Sequence, residues 1–162
     1  MKHGSLTILL VEDEEHDIFC LQQATEKAGP AHTLNAAHDG AEAVCYLQGQ
    51  GQFADRQQYS LPNIILTDLK MPGMDGFEFL QCLREHPDYQ IIPVVVYSSS
   101  ALEADVRKAY RLGANSYMVK PSSIFELVEL LRATYEYWSR CECPPMPATG
   151  AIQNQEEHPR SA

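Results

Sequence analysis

The chain has 162 residues, which is room for one domain of ordinary size, and 44% of them are apolar, enough for a packed core. The formal net charge of −10 argues against a nucleic-acid partner, because a negative surface repels phosphate backbones. No stretch approaches the roughly 20 apolar residues that span a bilayer, and the N-terminus lacks the pattern of a signal peptide. The sequence therefore predicts a cytoplasmic protein with no membrane partner.

Short apolar segments that alternate with amphipathic ones predict five β-strands and five helices. Continuous runs rich in Val and Ile are typical of parallel strands that are buried on both faces. The predicted strands are residues 6–11, 33–37, 63–67, 93–97 and 116–119. This alternation predicts a (βα)₅ domain, in which helices cover both faces of a doubly wound, five-stranded parallel sheet.

The starts of the helices carry their own signals. Four segments have the spacing of a capping box: Asp39 to Glu42, Asp75 to Glu78, Ser100 to Glu103 and Ser123 to Glu126. The last helix has the clearest apolar face, from Ile124 to Trp138. Residues 48–60 form a polar insertion before the third strand and are predicted to be a long surface loop.

Polar side chains follow four of the five predicted strands. Glu12 and Asp13 follow the first strand, Asp68 the third, Ser98 the fourth and Lys120 the fifth. The carboxyl ends of parallel strands meet at one edge of the sheet, where ligands bind. Each feature alone also has a structural interpretation, as a helix start, a turn, a helix cap or a solvated lysine. Together, at one edge, they favour a site.

The residue types at this edge suit phosphoryl chemistry. Clustered carboxylates repel one another, and a hard divalent cation such as Mg²⁺ relieves the repulsion. A carboxylate beside the cation can attack phosphorus and form an aspartyl phosphate. Lys120 and the Ser98 hydroxyl can then supply positive charge and a hydrogen bond to the phosphoryl oxygens.

The residues at the strand ends resemble the receiver domain of bacterial two-component response regulators. The matching segments are ILLVED at residues 8–13, TDLKMPGMDG at 67–76, VVYSS at 95–99 and MVKP at 118–121. The resemblance covers residues 6–140 and leaves residues 141–162 as a flexible, Pro-containing tail. It implies a single domain with the flavodoxin-like strand order 2-1-3-4-5.

The resemblance also implies a set of ligands for the cation. Asp68 would be the phosphoacceptor and, with Asp13, would bind Mg²⁺. Glu12 would act through a water molecule, and the backbone carbonyl of Lys70 would complete the protein ligands.

A second set of implied roles concerns the phosphoryl group and the switch. Lys120 would bind the phosphoryl group, while Ser98 and Tyr117 would form a switch pair of hydroxyl and rotating aromatic ring. The bond between Lys120 and Pro121 would be cis, which only proline makes inexpensive.

The implied function is that of a stand-alone response regulator in a phosphorelay. It would accept a phosphoryl group from a sensor histidine kinase and change the face made by helix 4, strand 5 and helix 5. It would catalyse only its own phosphorylation and dephosphorylation. Two other functions stay open at this point, a phosphorylation-independent adaptor and a small hydrolase that uses Asp68 as its nucleophile.

A narrower resemblance concerns the insertion, the fourth strand and the aromatic end of the last helix at Tyr135, Tyr137 and Trp138. These features resemble single-domain regulators that partner phytochrome-type histidine kinases. That subgroup often forms homodimers, which predicts a dimer through helix 4, strand 5 and helix 5.

Overall fold

The computed structural model describes residues 4–29 and 31–145, and strands alternate with helices along them. The strands are β1 (Thr7–Val11), β2 (Thr33–Ala37), β3 (Ile64–Thr67), β4 (Val94–Ser98) and β5 (Ser116–Val119). The helices are α1 (Glu15–Ala28), α2 (Gly40–Gln48), α3 (Gly76–Glu85), α4 (Glu103–Arg111) and α5 (Ile124–Arg140). No helix in this part of the chain is both long and apolar enough to cross a bilayer.

The strands form one parallel, five-stranded sheet in the order β2-β1-β3-β4-β5. The predicted (βα)₅, flavodoxin-like fold is therefore confirmed. The chain leaves β1 toward β2 and then returns across β1 to β3, so the switch point of the sheet lies between β1 and β3. Val11 pairs with Thr67 across this point, and the residues that follow these two begin side by side.

Each face of the sheet has its own hydrophobic core. Leu9 and Val11 of β1 pack with the side chains of α2 and α3, whereas Ile8 and Leu10 pack with those of α1 and α5. Successive side chains of a strand point to opposite faces. Because both faces are covered, both sets must be apolar, which explains the unbroken apolar runs in the sequence.

Three of the four predicted capping segments are confirmed as helix starts, those headed by Asp39, Asp75 and Ser123. The prediction for Ser100 was wrong, because α4 begins at Glu103 and its N-cap is Leu102. The Ser100 hydroxyl instead donates a hydrogen bond to Oδ2 of Asp105 at 2.5 Å. Ser100 therefore contacts the first turn of α4 through Asp105 and does not serve as its N-cap.

The insertion at residues 48–60 is mostly exposed, as predicted for a surface loop, but it is attached to the domain at two points. A 3₁₀ turn at Gly51–Phe53 buries Phe53 against the ring of Tyr46. Arg56 donates hydrogen bonds to the carbonyl oxygens of Tyr46 at 2.7 Å and Leu47 at 2.5 Å. These carbonyls belong to the last turn of α2, where the Gly49 amide and the Tyr89 hydroxyl also donate to them. Arg56 of this polar insertion therefore caps the C-terminus of α2.

The prediction of a cis bond before Pro121 was wrong, because the described chain contains no cis peptide bond. The trans form is favoured by about 0.5–1 kcal/mol even before proline. The trans backbone already lets the Lys120 amide donate to the Ser98 carbonyl at 2.9 Å and its ammonium reach Asp68. Most of the predicted tail, residues 146–162, lies outside the described residues.

We expect Gly76→Ala to destabilise the domain, because Gly76 passes very close to the loop that carries Asp68. A Cβ at Gly76 would lie 1.9 Å from the Asp68 carbonyl oxygen and 2.8 Å from the Leu69 Cα. Overpacking of this kind costs about 1–3 kcal/mol, which urea unfolding would measure. Gly4→Ala is the control, since no atom of the described residues lies within 4 Å of its added Cβ. Equal stability of the two variants would contradict this reading of the loop.

Candidate functional site

Three carboxylates meet at the switch point of the sheet. Glu12 and Asp13 follow β1 and Asp68 follows β3, and one oxygen of each lies within 4.8 Å of the other two. Glu12 is fully buried and Asp68 is 6% exposed. Water therefore screens their mutual repulsion poorly, and the cluster needs positive charge close by.

Lys120, at the end of β5, supplies part of that charge. Its Nζ donates hydrogen bonds to Glu12 Oε2 at 2.7 Å and Asp68 Oδ2 at 2.8 Å. A third bond, also of 2.7 Å, goes to Oδ2 of Asp17 on α1. An ammonium has three N–H donors, so all of them are used. Burial opposes the charge of Lys120, but these hydrogen bonds outweigh it and raise the pKa of Lys120 above its ordinary value.

The remaining oxygens of the cluster differ in their partners. Asp68 Oδ1 accepts a hydrogen bond from the Leu69 amide at 2.6 Å, and Glu12 Oε1 accepts one from the Glu14 amide at 3.1 Å. Oδ1 of Asp13 is buried and has no hydrogen-bond partner among the described residues. A buried carboxylate oxygen without a donor is a place where a cation fits.

Burial also shifts the pKa of Glu12. Burial raises this pKa to about 7, although the hydrogen bonds from Lys120 and the Glu14 amide oppose the shift. A cation held by the cluster would favour the ionised carboxylate and lower the pKa again. The acidic cluster therefore fits a divalent cation both in its oxygen ligands and in its charge.

The predicted switch residues meet at one loop beside this cluster. Ser98 ends β4 and is buried, and its Oγ accepts a hydrogen bond from the Ser100 amide at 3.2 Å. The hydroxyl of Tyr117, on β5, donates to the Ser100 carbonyl at 2.8 Å. Ser98 and Tyr117 are thus connected through the backbone of a single residue.

Lys70 and Asp17 are the remaining residues of the candidate site. Lys70 is exposed and lies two positions after Asp68, and the role of its carbonyl stays a prediction. Asp17 was missed by sequence reasoning, although it contacts Lys120 directly. No local pattern marked it, since Asp17 lies in the first turn of α1, where acidic residues are common for the helix alone.

A parallel α/β domain with clustered carboxylates and a lysine at its switch point has the architecture of a phosphorelay signalling domain. The sequence model of the response regulator receiver domain family matches residues 8–132, and the chain belongs to this family.

Among similar proteins, Rcp1 of Synechocystis is 35% identical over 131 residues, which are 81% of this chain and 87% of Rcp1. The structure of the Mn²⁺-bound form of Rcp1 has a TM-score of 0.72 at 34% identity and covers 88% of this chain and 99% of that one. The phosphorylated cyanobacterial phytochrome response regulator RcpA has a TM-score of 0.78 at 34% identity, with 88% of this chain and 100% of RcpA covered.

A third relative is RPA3017, a response regulator in red light signalling of R. palustris. It has a TM-score of 0.81 at 31% identity, with coverage of 86% of this chain and 99% of RPA3017. The narrower resemblance to the regulators of phytochromes is therefore confirmed.

We expect the affinity of the cluster for a divalent cation to fall as the pH falls from about 8 to about 6. A proton on Glu12, whose pKa burial raises to about 7, competes with the cation. One competing proton weakens binding by at most about tenfold per pH unit below the pKa. Titration calorimetry with Mn²⁺ at several pH values would measure the effect.

Glu12→Gln should bind Mn²⁺ more weakly but with a flatter pH dependence. Glu26→Gln, at an exposed position on α1, is the matched control and should keep the wild-type pH dependence. A wild-type affinity that does not change over this pH range would contradict the role of Glu12.

Proposed function

We propose that this response regulator accepts a phosphoryl group on Asp68 from a sensor histidine kinase, in a reaction that requires Mg²⁺, within a receiver domain of residues 6–140. The observation that carries the proposal is the contact of Lys120 Nζ with Asp68 Oδ2 at 2.8 Å, beside Oδ1 of Asp13, which no described residue contacts with a hydrogen bond. The proposed nucleophile Asp68, the ammonium of Lys120 that would bind the phosphoryl group, and an Asp13 oxygen available to a metal ion thus lie in one pocket.

The ligands of the metal ion would be Glu12, Asp13, Asp68 and the backbone carbonyl of Lys70. When ionised, Glu12, Asp13 and Asp68 carry more negative charge than Lys120 can balance, and oxygen-only ligands suit Mg²⁺. When bound, Mg²⁺ would neutralise this charge and stabilise the charge that develops on the transferred phosphoryl group.

The chain's own residues hold the nucleophile still. The Leu69 amide holds one oxygen of Asp68 and Lys120 holds the other, so the carboxylate is fixed in orientation. An Asp68 oxygen forms a bond to phosphorus as the P–N bond of the kinase's phosphohistidine breaks, and the imidazole nitrogen keeps that electron pair. Lys120 then turns an N–H toward the phosphoryl oxygens.

The switch acts through the loop between β4 and α4. A phosphoryl oxygen attracts the Ser98 hydroxyl, which gives up its bond from the Ser100 amide. Because Tyr117 is bound to the Ser100 carbonyl, the rearrangement changes the position of this ring and with it the face of α4, β5 and α5. The protein is a signalling switch that catalyses only its own phosphorylation and dephosphorylation.

The partners follow from the same relatives and from the surface. RcpA is a phytochrome response regulator and RPA3017 acts in red light signalling, which supports a phytochrome-type histidine kinase as the partner. The edge strand β5 and helix α5 enclose a groove of 570 Å³ that is bordered by Tyr137 and Trp138. Tyr137 is 64% exposed, which supports a homodimer through the face of α4, β5 and α5.

We expect incubation with Mg²⁺ and acetyl phosphate to add one phosphoryl group to the wild type and none to Asp68→Asn. The amide of Asn cannot form the acyl phosphate. Intact-protein mass spectrometry would measure the addition. Asp75→Asn is the matched control, because this nearby carboxylate caps α3 and Asn caps equally well, so labelling should persist. Equal labelling of Asp68→Asn and wild type would refute the proposal.

We expect Tyr137→Glu to weaken the homodimer by at least about tenfold, because a charge would replace an exposed aromatic ring at the interface. Light scattering after size-exclusion chromatography would measure the mass, with and without the phosphodonor. Phe19→Glu is the control, since this exposed ring lies on α1 outside the proposed face. A wild type that stays monomeric under both conditions would contradict the dimer.

A further inference from the structure

The three partners of Lys120 are not equivalent. Glu12 and Asp68 belong to the carboxylate cluster that fits a cation, whereas Asp17 is absent from that cluster. The side chains of Glu12 and Asp68 are 0% and 8% exposed, and that of Asp17 is 33% exposed. Lys120 therefore has two partners that it must share with a cation and one that it can keep.

A cation in the pocket would compete with Lys120 for the carboxylates of Glu12 and Asp68. A divalent cation bound by Glu12 and Asp68 withdraws negative charge from the two oxygens that hold Lys120, and it also repels the ammonium. The lysine is needed beside Asp68 when the phosphoryl group arrives. The ammonium of Lys120 also lies 5.5 Å from the centroid of the Tyr97 ring, and this contact alone is weak.

Asp17 is placed to resolve the conflict. It lies in the first turn of α1, a helix that packs on the sheet through Ile18 and Leu21, so its position does not depend on the pocket. Because Asp17 is partly exposed, a water molecule can take its place as a hydrogen-bond partner when Lys120 turns toward the phosphoryl group. The bond from Lys120 Nζ to Asp17 is as short as the bond to the buried Glu12.

We propose that Asp17 is a positioning residue that keeps the ammonium of Lys120 beside Asp68 while a cation occupies the buried carboxylates. This inference rests on the proposed function, because the lysine must stay in place for phosphoryl transfer. Asp17 touches neither the phosphoryl group nor the cation and acts only through Lys120.

The test is Asp17→Asn, studied at saturating Mg²⁺ with acetyl phosphate. The loss of a charge-assisted hydrogen bond should lower the rate constant of phosphorylation by about tenfold. In the Lys120→Met background, Asp17→Asn should cause no further decrease, because its effect passes through the lysine. Glu15→Gln is the matched control: it removes an acid from the same first turn, bonded to His38 and not to Lys120, and should stay within about twofold of wild type.

A second measurement does not depend on activity. In the Mg²⁺-saturated protein, NMR should show that the ammonium protons of Lys120 exchange with solvent several-fold faster in Asp17→Asn than in wild type. Urea unfolding checks that both proteins are folded. An unchanged exchange rate overturns the inference, and so does a decrease in phosphorylation that persists in the Lys120→Met background.

The two levels of the proposal fail in different ways. If the wild type accepts no phosphoryl group at all, the proposed function fails, and the exchange rate of Lys120 alone decides whether Asp17 anchors the lysine. If the wild type is phosphorylated and Asp17→Asn matches it in both rate and exchange, only the role of Asp17 fails.

Discussion

One ammonium group shared among three carboxylates organises this protein. Lys120 binds Glu12, Asp17 and Asp68 with three hydrogen bonds of 2.7–2.8 Å, and it joins the ends of β1, β3 and β5 to the start of α1. Buried charges are costly unless they are paired. The strand order of the sheet is what makes the pairing possible, since it brings chain segments more than 100 residues apart to one edge.

The carboxylate cluster also has features that favour a bound cation. Lys120 alone does not balance the charge of the cluster, burial raises the pKa of Glu12 to about 7, and Oδ1 of Asp13 has no hydrogen-bond donor among the described residues. Such a pocket fits a cation, and the proposed phosphoryl group would further change the charge around Lys120. Ser100 connects the two proposed switch residues, because its amide contacts Ser98 and its carbonyl contacts Tyr117.

Sequence reasoning succeeded where local pattern and final structure coincide. The inner strands β1, β3 and β4 were found because both of their faces are buried, and the edge strands β2 and β5 gave weaker patterns. Asp68 and Lys120 were found because each directly follows a predicted strand. It failed where a particular side-chain contact decides the outcome. Ser100 bonds to Asp105 in place of capping α4. The surface loop at residues 48–60 was predicted, but its attachment to α2 through Arg56 was not. Asp17 reads as an ordinary acid of a first helical turn, and only the path of the Lys120 side chain gives it a role.

The most direct test of the central claim is anomalous diffraction from crystals grown with Mn²⁺. We expect one strong anomalous peak from a Mn²⁺ ion bound to carboxylate oxygens of Asp13 and Asp68, with Lys120 still hydrogen-bonded to Asp68 or Asp17. A peak bound elsewhere on the chain, or a lysine turned out to solvent with the cation in place, would contradict it.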